Sequence, residues 1–439
     1  MDTVITPDTT TSDAQTKEYA PVAKADKHIW GIYIFLCLIS IIELYSASSR
    51  EVASSSLGVY GPIIRHAGML VAGLGIIWVI QRTHYRRFRL ITPIFVFISI
   101  AMMVYVLGFG EYVNGARRSF NFCGVTIQPS EFIKLSAALI IALIMSKSQI
   151  KGGGVSTKGV VTSACFVMLF GALLIKQGMT NTILLMSISL SMMVIGGVEW
   201  RKFFTVLGTY TLFFAIFMLI SHGSQADPAE SATNQVTTEQ SYDENSGRMG
   251  TWMARIERFI GDGKPKYLQP IDAKNRQEMY ARMAQANGGI FGVFPGNSRE
   301  TARLPLAFSD YIYSIIIEDM GLVGGIFVLI LYLWLLARAS AIASRCSRAF
   351  PALLVIGMAV MIVFQALFHM AIVSGVFPVS GQPLPLISKG GTSILITSIA
   401  FGVMLSVSRY SVRSGKRQEI RDEINSLPED VRAENPTQL

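Results

Sequence analysis

Apolar stretches about 20 residues long recur along most of this chain, the length a helix needs to cross roughly 30 Å of hydrocarbon with its backbone bonded internally. They fall at about 29–47, 62–81, 89–109, 130–147, 159–175, 181–197, 202–221, 311–337, 350–374 and 389–409. The spacing predicts an all-α, polytopic membrane protein of ten transmembrane helices, spanning 29–410. With 51% hydrophobic and 15% charged residues among 439, a soluble chain would leave most of that surface unburied.

Alternate connections are basic: Arg82, Arg86, Arg87 and Arg89; Lys147, Lys151 and Lys158; Arg201 and Lys202; Arg338, Arg345 and Arg348; then Arg409, Arg413, Lys416 and Arg417. By the positive-inside rule both termini face the cytoplasm. Residues 1–28 are polar and Thr-rich, with Asp2, Asp8, Asp13 and Asp26, and do not read as a cleavable signal peptide. This tail and 411–439, which holds Pro428 and Pro436, read as disordered. The net charge of +9 lies in the loops rather than on an aromatic-interleaved face, so nucleic acid is not expected as a partner. Cys37, Cys123, Cys165 and Cys346 are too scattered for a disulfide framework or a zinc site.

One outer loop, 222–310, is far longer than a connector needs. Residues 223–247 carry Asp227, Glu230, Glu239, Asp243 and Glu244 and no Lys, Arg or His, which predicts a flexible acidic insertion. Over 248–262, Met249, Trp252, Met253, Ile256, Phe259 and Ile260 recur at helical spacing with Arg248, Arg255 and Arg258 between them. An amphipathic helix at the membrane surface and a helix capping the bundle both fit that pattern.

Four polar constellations interrupt the apolar background, and the topology puts all of them outside. In the first, Asn114-Gly115-Ala116-Arg117-Arg118 precedes Gln128-Pro129-Ser130-Glu131-Phe132-Ile133-Lys134. Ser130 reads as a helix cap and Glu131 as a favourable charge at the positive helix end. Glu131 and Lys134 are spaced to pair on one face, as functional charges or as a capped, snorkelling helix end. Arg117 and Arg118 could clamp an anionic head group or serve as interfacial anchors.

The second runs from Asn287-Gly288-Gly289 through Gly296-Asn297-Ser298 to Leu304-Pro305 and Ser309-Asp310-Tyr311. Asp310 stands at the entrance to the eighth span, as a general base at a cavity mouth or as that span's N-cap. Glu318 lies roughly 12 Å deeper along a helix and reads as the partner of a buried cation. Pro378 to Ser393, with three prolines and Ser388-Lys389-Gly390-Gly391, marks a broken segment of the kind tolerated only beside protein or a water-filled cavity. Lys389 there could balance Glu131, Glu318 or a substrate phosphate, or be an ordinary helix-end lysine. The turn Lys176–Thr182 is the least informative of the four.

Taken in order, these residues resemble the SEDS family (shape, elongation, division and sporulation) over nearly the full length. Asn-Gly-Ala-x-Arg at 114–118, Gln-Pro-Ser-Glu-x-x-Lys at 128–134, Leu-Pro-x-x-x-x-Asp-[FY]-Ile at 304–312, Glu-[ED]-x-Gly at 318–321 and Pro-x-[ST]-Gly-x-x-Leu-Pro-x-x-Ser-x-Gly-Gly-[ST]-Ser at 378–393 carry the likeness. Gly296-Asn297-Ser298 resembles the division-type form rather than the Gly-Thr-Gln of elongation-type members. The resemblance implies a peptidoglycan glycosyltransferase of the plasma membrane, acting at the septum with a class B penicillin-binding transpeptidase and other division proteins. Its substrate would be lipid II, a disaccharide-peptide on undecaprenyl pyrophosphate. It carries the catalytic role to Asp310 and makes Arg117, Arg118, Glu131, Lys134, Arg255, Asn297, Ser298, Glu318, Ser388, Lys389, Gly390 and Gly391 substrate-site candidates. Positive charge beside the departing pyrophosphate would come from Arg117, Arg118, Lys134, Arg255 or Lys389, alone or with a divalent cation, Mg or Mn. No organic cofactor is expected.

Four features depart from the family pattern: the loop Gln177-Gly178-Met179-Thr180-Asn181-Thr182-Ile183 lacks its usual acidic residue, Lys389 replaces a common Tyr, Pro295 replaces a hydrophobe, and the acidic insertion 223–247 is longer than usual. Buried charges and a broken helix also suit a lipid flippase, though no inverted repeat is visible, and a non-catalytic scaffold is the third reading. Of the three, only the transferase needs a base at Asp310.

Overall fold

The computed structural model describes residues 24–47, 60–113, 116–122, 125–150, 154–223, 259, 270–272, 275–304, 307–346 and 348–426. Apolar runs become helices because only internal hydrogen bonding satisfies a backbone in hydrocarbon. In chain order these are α1 (Lys27–Ala47), α2 (Tyr60–Ile80), α3 (Phe88–Phe109), α4 (Pro129–Lys147), α5 (Thr157–Ile175), α6 (Met179–Ile195) and α7 (Trp200–Gly223). After the outer loop come α8 (Arg276–Gly288), α9 (Ala307–Asp310), α10 (Ile312–Ala343), α11 (Ala349–Val373) and α12 (Gly391–Ser426). Among the described residues nine helices are long and apolar enough to cross a membrane, and α6, with 17 residues, is a shorter apolar helix.

The most enclosed helices are α4, α11 and α12, with α4 packed against α3, α5, α6 and α11. Small residues bring backbones close where hydrophobic burial offers little driving force: Gly73 of α2 faces Ser398 of α12, and Gly402 faces Ile77 and Ile80. Tyr33 of α1 joins the same seam through a 3.0 Å hydrogen bond with Ser398. The end of the bundle where α1 begins is fastened by Arg338 on Asp26 at 2.5 Å and by the Asp26 N–H on Ser408 at 3.1 Å.

Several expectations change in the folded chain. Gln128, not Ser130, is the N-cap of α4, and Pro129 occupies its first position, where a fixed φ and a missing N–H cost nothing. The last helix does not stop near 409 but continues to Ser426, so 411–426 is not a disordered segment; its Arg, Gln and Glu are good helix formers. A three-stranded antiparallel sheet, β1 (Glu111–Val113), β2 (Ala116–Phe122) and β3 (Val125–Ile127), lies between α3 and α4. Strands this short carry too little alternation to stand out beside apolar spans.

Helix α10 is broken at Gly321, whose φ is 72°. The break leaves the Glu318 and Asp319 carbonyls to accept from the N–H groups of Val293 and Phe294, at 2.9 and 2.8 Å, while Leu322 N–H donates to the Gly289 carbonyl at 3.0 Å. A Cβ on Gly288 would strike the Ile317 carbonyl, so the outer loop docks backbone to backbone on the broken helix. The expected insertion 223–247, apart from Gly223, and the expected helix 248–262, apart from Phe259, lie outside the described residues.

Candidate active site

Four separate stretches of sequence meet at the end of the bundle opposite the Asp26–Arg338 pair. The short helix α9 ends at Asp310, and Tyr311 is the N-cap of α10, so Asp310 sits in the hinge between two helices rather than capping the span. Its half-buried carboxyl accepts a hydrogen bond from the Ser309 hydroxyl at 2.9 Å on Oδ1. On the other oxygen the backbone of Gly381 closes in: a Cβ there would stand 2.9 Å from Oδ2.

The broken segment between α11 and α12 is clamped onto α9. Ser388, buried, donates to the Ser309 carbonyl at 2.7 Å and accepts from the Leu384 N–H at 2.8 Å. Lys389 N–H donates to the Phe308 carbonyl at 3.0 Å, and its ammonium lies 4.7 Å from the centre of the Phe308 ring. Gly390 and Gly391 follow at the start of α12, where free N–H groups and the helix dipole favour an anion. The sheet docks beside this helix end through Thr392, whose hydroxyl donates to the Thr126 carbonyl and accepts from the Gln128 N–H, both at 3.1 Å.

Beneath this surface Lys134 and Glu131 pair at 2.6 Å, at 0% and 5% side-chain exposure. The ammonium also donates to Gln365 Oε1 at 3.0 Å. Lys134 is thus enclosed rather than open to a departing phosphate, because a buried ammonium needs partners on all sides. Arg117 is exposed and turns to the Leu107 and Gly108 carbonyls at the end of α3; Arg118, next along β2, is half-buried. Arg255 lies outside the described residues.

Glu318 is satisfied without a cation, contrary to expectation. It accepts from Ser298 at 2.5 Å, from the N–H groups of Arg299 and Glu300 at 3.1 and 3.4 Å, and from Asn287 at 3.5 Å. A tight turn of N–H donors can hold a buried carboxylate as well as a lysine does. Ser298 therefore belongs to this cradle, and Asn297 is exposed with its side chain on the Val293 carbonyl at 3.1 Å. Among the described residues no group of three or more His, Cys, Asp or Glu is placed to hold a metal.

Gln365 and His369 have no place in the sequence motifs, while Gln382 and Thr392 fall within the broken segment and Asn181 within the 176–182 turn without a role of their own. The available signal was Gln365 and His369, two polar residues four apart in an otherwise apolar span.

Comparison with known proteins places this geometry in context. A family model described as Cell cycle protein, that of FtsW, RodA and SpoVE, matches residues 26–413. The probable peptidoglycan glycosyltransferase FtsW of Trichlorobacter lovleyi is 27% identical over 391 residues, covering 88% of this chain and 94% of its own. Stage V sporulation protein E of Bacillus subtilis is 28% identical over 390 residues, covering 87% and 96%. Among solved structures, a chain from a peptidoglycan synthase complex described as coordinating polymerization and crosslinking superposes with a TM-score of 0.64 at 21% identity, covering 88% of this chain and 98% of that one. The rod shape determining protein RodA of Thermus thermophilus superposes with a TM-score of 0.59 at 20% identity, covering 88% and 97%. At such identities the two structures speak for the fold.

Proposed function

This chain belongs to the cell cycle protein family of FtsW, RodA and SpoVE, and from that premise we propose that it is a peptidoglycan glycosyltransferase that polymerises lipid II on the outer face of the bacterial plasma membrane. The observation that carries the mechanism is Asp310, a half-buried carboxyl held by Ser309 and walled by Gly381 where the outer ends of several helices converge. The 4-hydroxyl oxygen of the lipid II acceptor sugar attacks the anomeric carbon of the growing strand. As the new β-1,4 C–O bond forms, Asp310 takes the hydroxyl proton, and the bond from that carbon to the undecaprenyl-pyrophosphate oxygen breaks, releasing the carrier with its electron pair.

Charge developing on the pyrophosphate is met by Lys389 at the α12 N-terminus, with Arg117 and Arg118 on the neighbouring sheet. Lys134 and Glu131 support this surface from below. A divalent cation, Mg or Mn, would rest mainly on substrate phosphates, as Mg commonly does. Gly296-Asn297-Ser298 favours a division role, and the partners that follow from it are a class B penicillin-binding transpeptidase and other division proteins at the septum.

The test is gel analysis of glycan made from labelled lipid II by the purified protein with its cognate transpeptidase, with divalent metal added and then chelated. Polymer from the wild type and none from an equally folded, partner-bound Asp310→Asn variant supports Asp310 as base. Equal polymer from both removes it from the mechanism. Lipid translocation in vesicles without any glycan product moves the reading to a flippase, and neither activity moves it to a scaffold.

A further inference from the structure

The wall against Asp310 is built from a segment that has no ladder of its own. Between α11 and α12 the chain runs Ser380-Gly381-Gln382-Pro383, with the Gln382 N–H donating to the Ser380 carbonyl at 2.8 Å in a tight turn. Pro383 has no N–H to give. The segment's polar groups are met by side chains from other helices. His369 Nδ1 lies 2.6 Å from the Gln382 carbonyl, which can only accept, so Nδ1 carries the proton and donates. Gln365, one turn earlier on α11, donates to the Pro383 carbonyl at 3.3 Å while its Oε1 is held by Lys134. From the other side Gln382 Nε2 donates to Asn181 Oδ1 of α6 at 2.9 Å.

Three tethers from two helices thus fix two residues, and the residue just before them, Gly381, is the one that abuts the Asp310 carboxylate. Gln365, His369 and Gln382 are all buried. Their bonds are protected from exchange with water, so they define the position of the wall rather than merely decorate a loop.

We propose that His369, with Gln365 and Asn181, is a positioning residue for the glycosyl transfer: it holds the Gly381–Pro383 segment as the stop that aims the Asp310 carboxylate at the acceptor hydroxyl. The proposal rests on Asp310 as general base, and it adds residues that touch neither substrate. The buried Glu131–Lys134 pair acquires a role in it as well, since Lys134 orients the Gln365 amide and so decides which end faces Pro383. Catalysis is sensitive to such aim: misplacing a reacting group by about 1 Å costs on the order of a hundredfold in rate.

The experiment measures kcat and KM for lipid II polymerisation by the full chain with its transpeptidase, on four variants. His369→Leu removes the donor; His369→Asn returns an N–H close to the position of Nδ1; Asn181→Ala unhooks Gln382 from α6 without touching the α11 core. Asp310→Asn is run beside them. The expected result is a fall in kcat of about tenfold to a hundredfold in His369→Leu, with KM within about twofold of wild type, and recovery of most of that loss in His369→Asn. Asn181→Ala should show a smaller fall of the same kind, which keeps the idea testable if His369→Leu does not fold. Wild-type kcat in folded His369→Leu or, failing its folding, in Asn181→Ala overturns the proposal, as does a loss that His369→Asn does not restore. If Asp310→Asn is itself active, the failure lies in the reading of the base; if it is inactive while the tether variants are not, only the positioning role fails.

Discussion

Replacing Lys134 with Met tests how the floor of the site is held. The Nζ lies 2.6 Å from Glu131 Oε1, with the lysine side chain at 0% exposure and the glutamate at 5%. At an effective dielectric constant of about 20, that separation is worth roughly 6 kcal/mol of gross Coulomb energy, most of it offset by the cost of taking both ions out of water. Removing one partner leaves the other cost standing, so Lys134→Met should destabilise by about 3–5 kcal/mol. The Gln365 Oε1, which loses its charged donor, pushes the value toward the upper end. Glu131→Leu combined with Lys134→Met removes both charges and should cost less than Lys134→Met alone, a coupling of about 2 kcal/mol. Unfolding of the purified protein in mixed micelles, run as a double-mutant cycle, measures it. A single variant within about 1 kcal/mol of wild type, or effects additive to within about 0.5 kcal/mol, would refute the reasoning.

Three further outcomes follow from the geometry. Gly288→Ala drives a methyl group into the Ile317 carbonyl, where neither backbone can yield, and should destabilise by about 1–3 kcal/mol or more, read as a lower thermal midpoint. Thr392→Val severs the bonds that tie the α12 N-terminus to Thr126 of β3 and to Gln128, the N-cap of α4, and should lower polymerisation while leaving the helical signal in circular dichroism unchanged. Asp26 supplies a pH test: burial pushes its carboxyl up, but the Arg338 guanidinium together with the Ile29 and His28 N–H groups outweighs burial and holds it below its ordinary value of 3.8. A depressed carboxylate stabilises the fold above the unfolded pKa and loses that contribution as pH falls through the folded one. The gap in thermal midpoint between wild type and Asp26→Asn should therefore be full at neutral pH and close below about pH 4.

What the sequence by itself determined follows from short-range physics. Helices form wherever about 20 apolar residues run together, because hydrocarbon leaves a backbone no other partner. Cation placement orients them, and the i, i+3 spacing of Glu131 and Lys134 already implies their pairing. The broken segment at 378–390 was legible from its prolines and glycines, and the neighbourhood of Asp310 from its ordered motifs. Other features belong to the tertiary structure alone. Whether Glu318 meets a cation or a turn of N–H groups depends on where residues 298–300 dock, which no local pattern encodes. The pairing of the break at Gly321 with the 288–294 loop brings together backbones that no local pattern connects. The meeting of His369, Gln382 and Asn181 behind Gly381 joins residues up to 201 positions apart, and only packing of α6 and α11 side by side brings their polar groups within bonding distance.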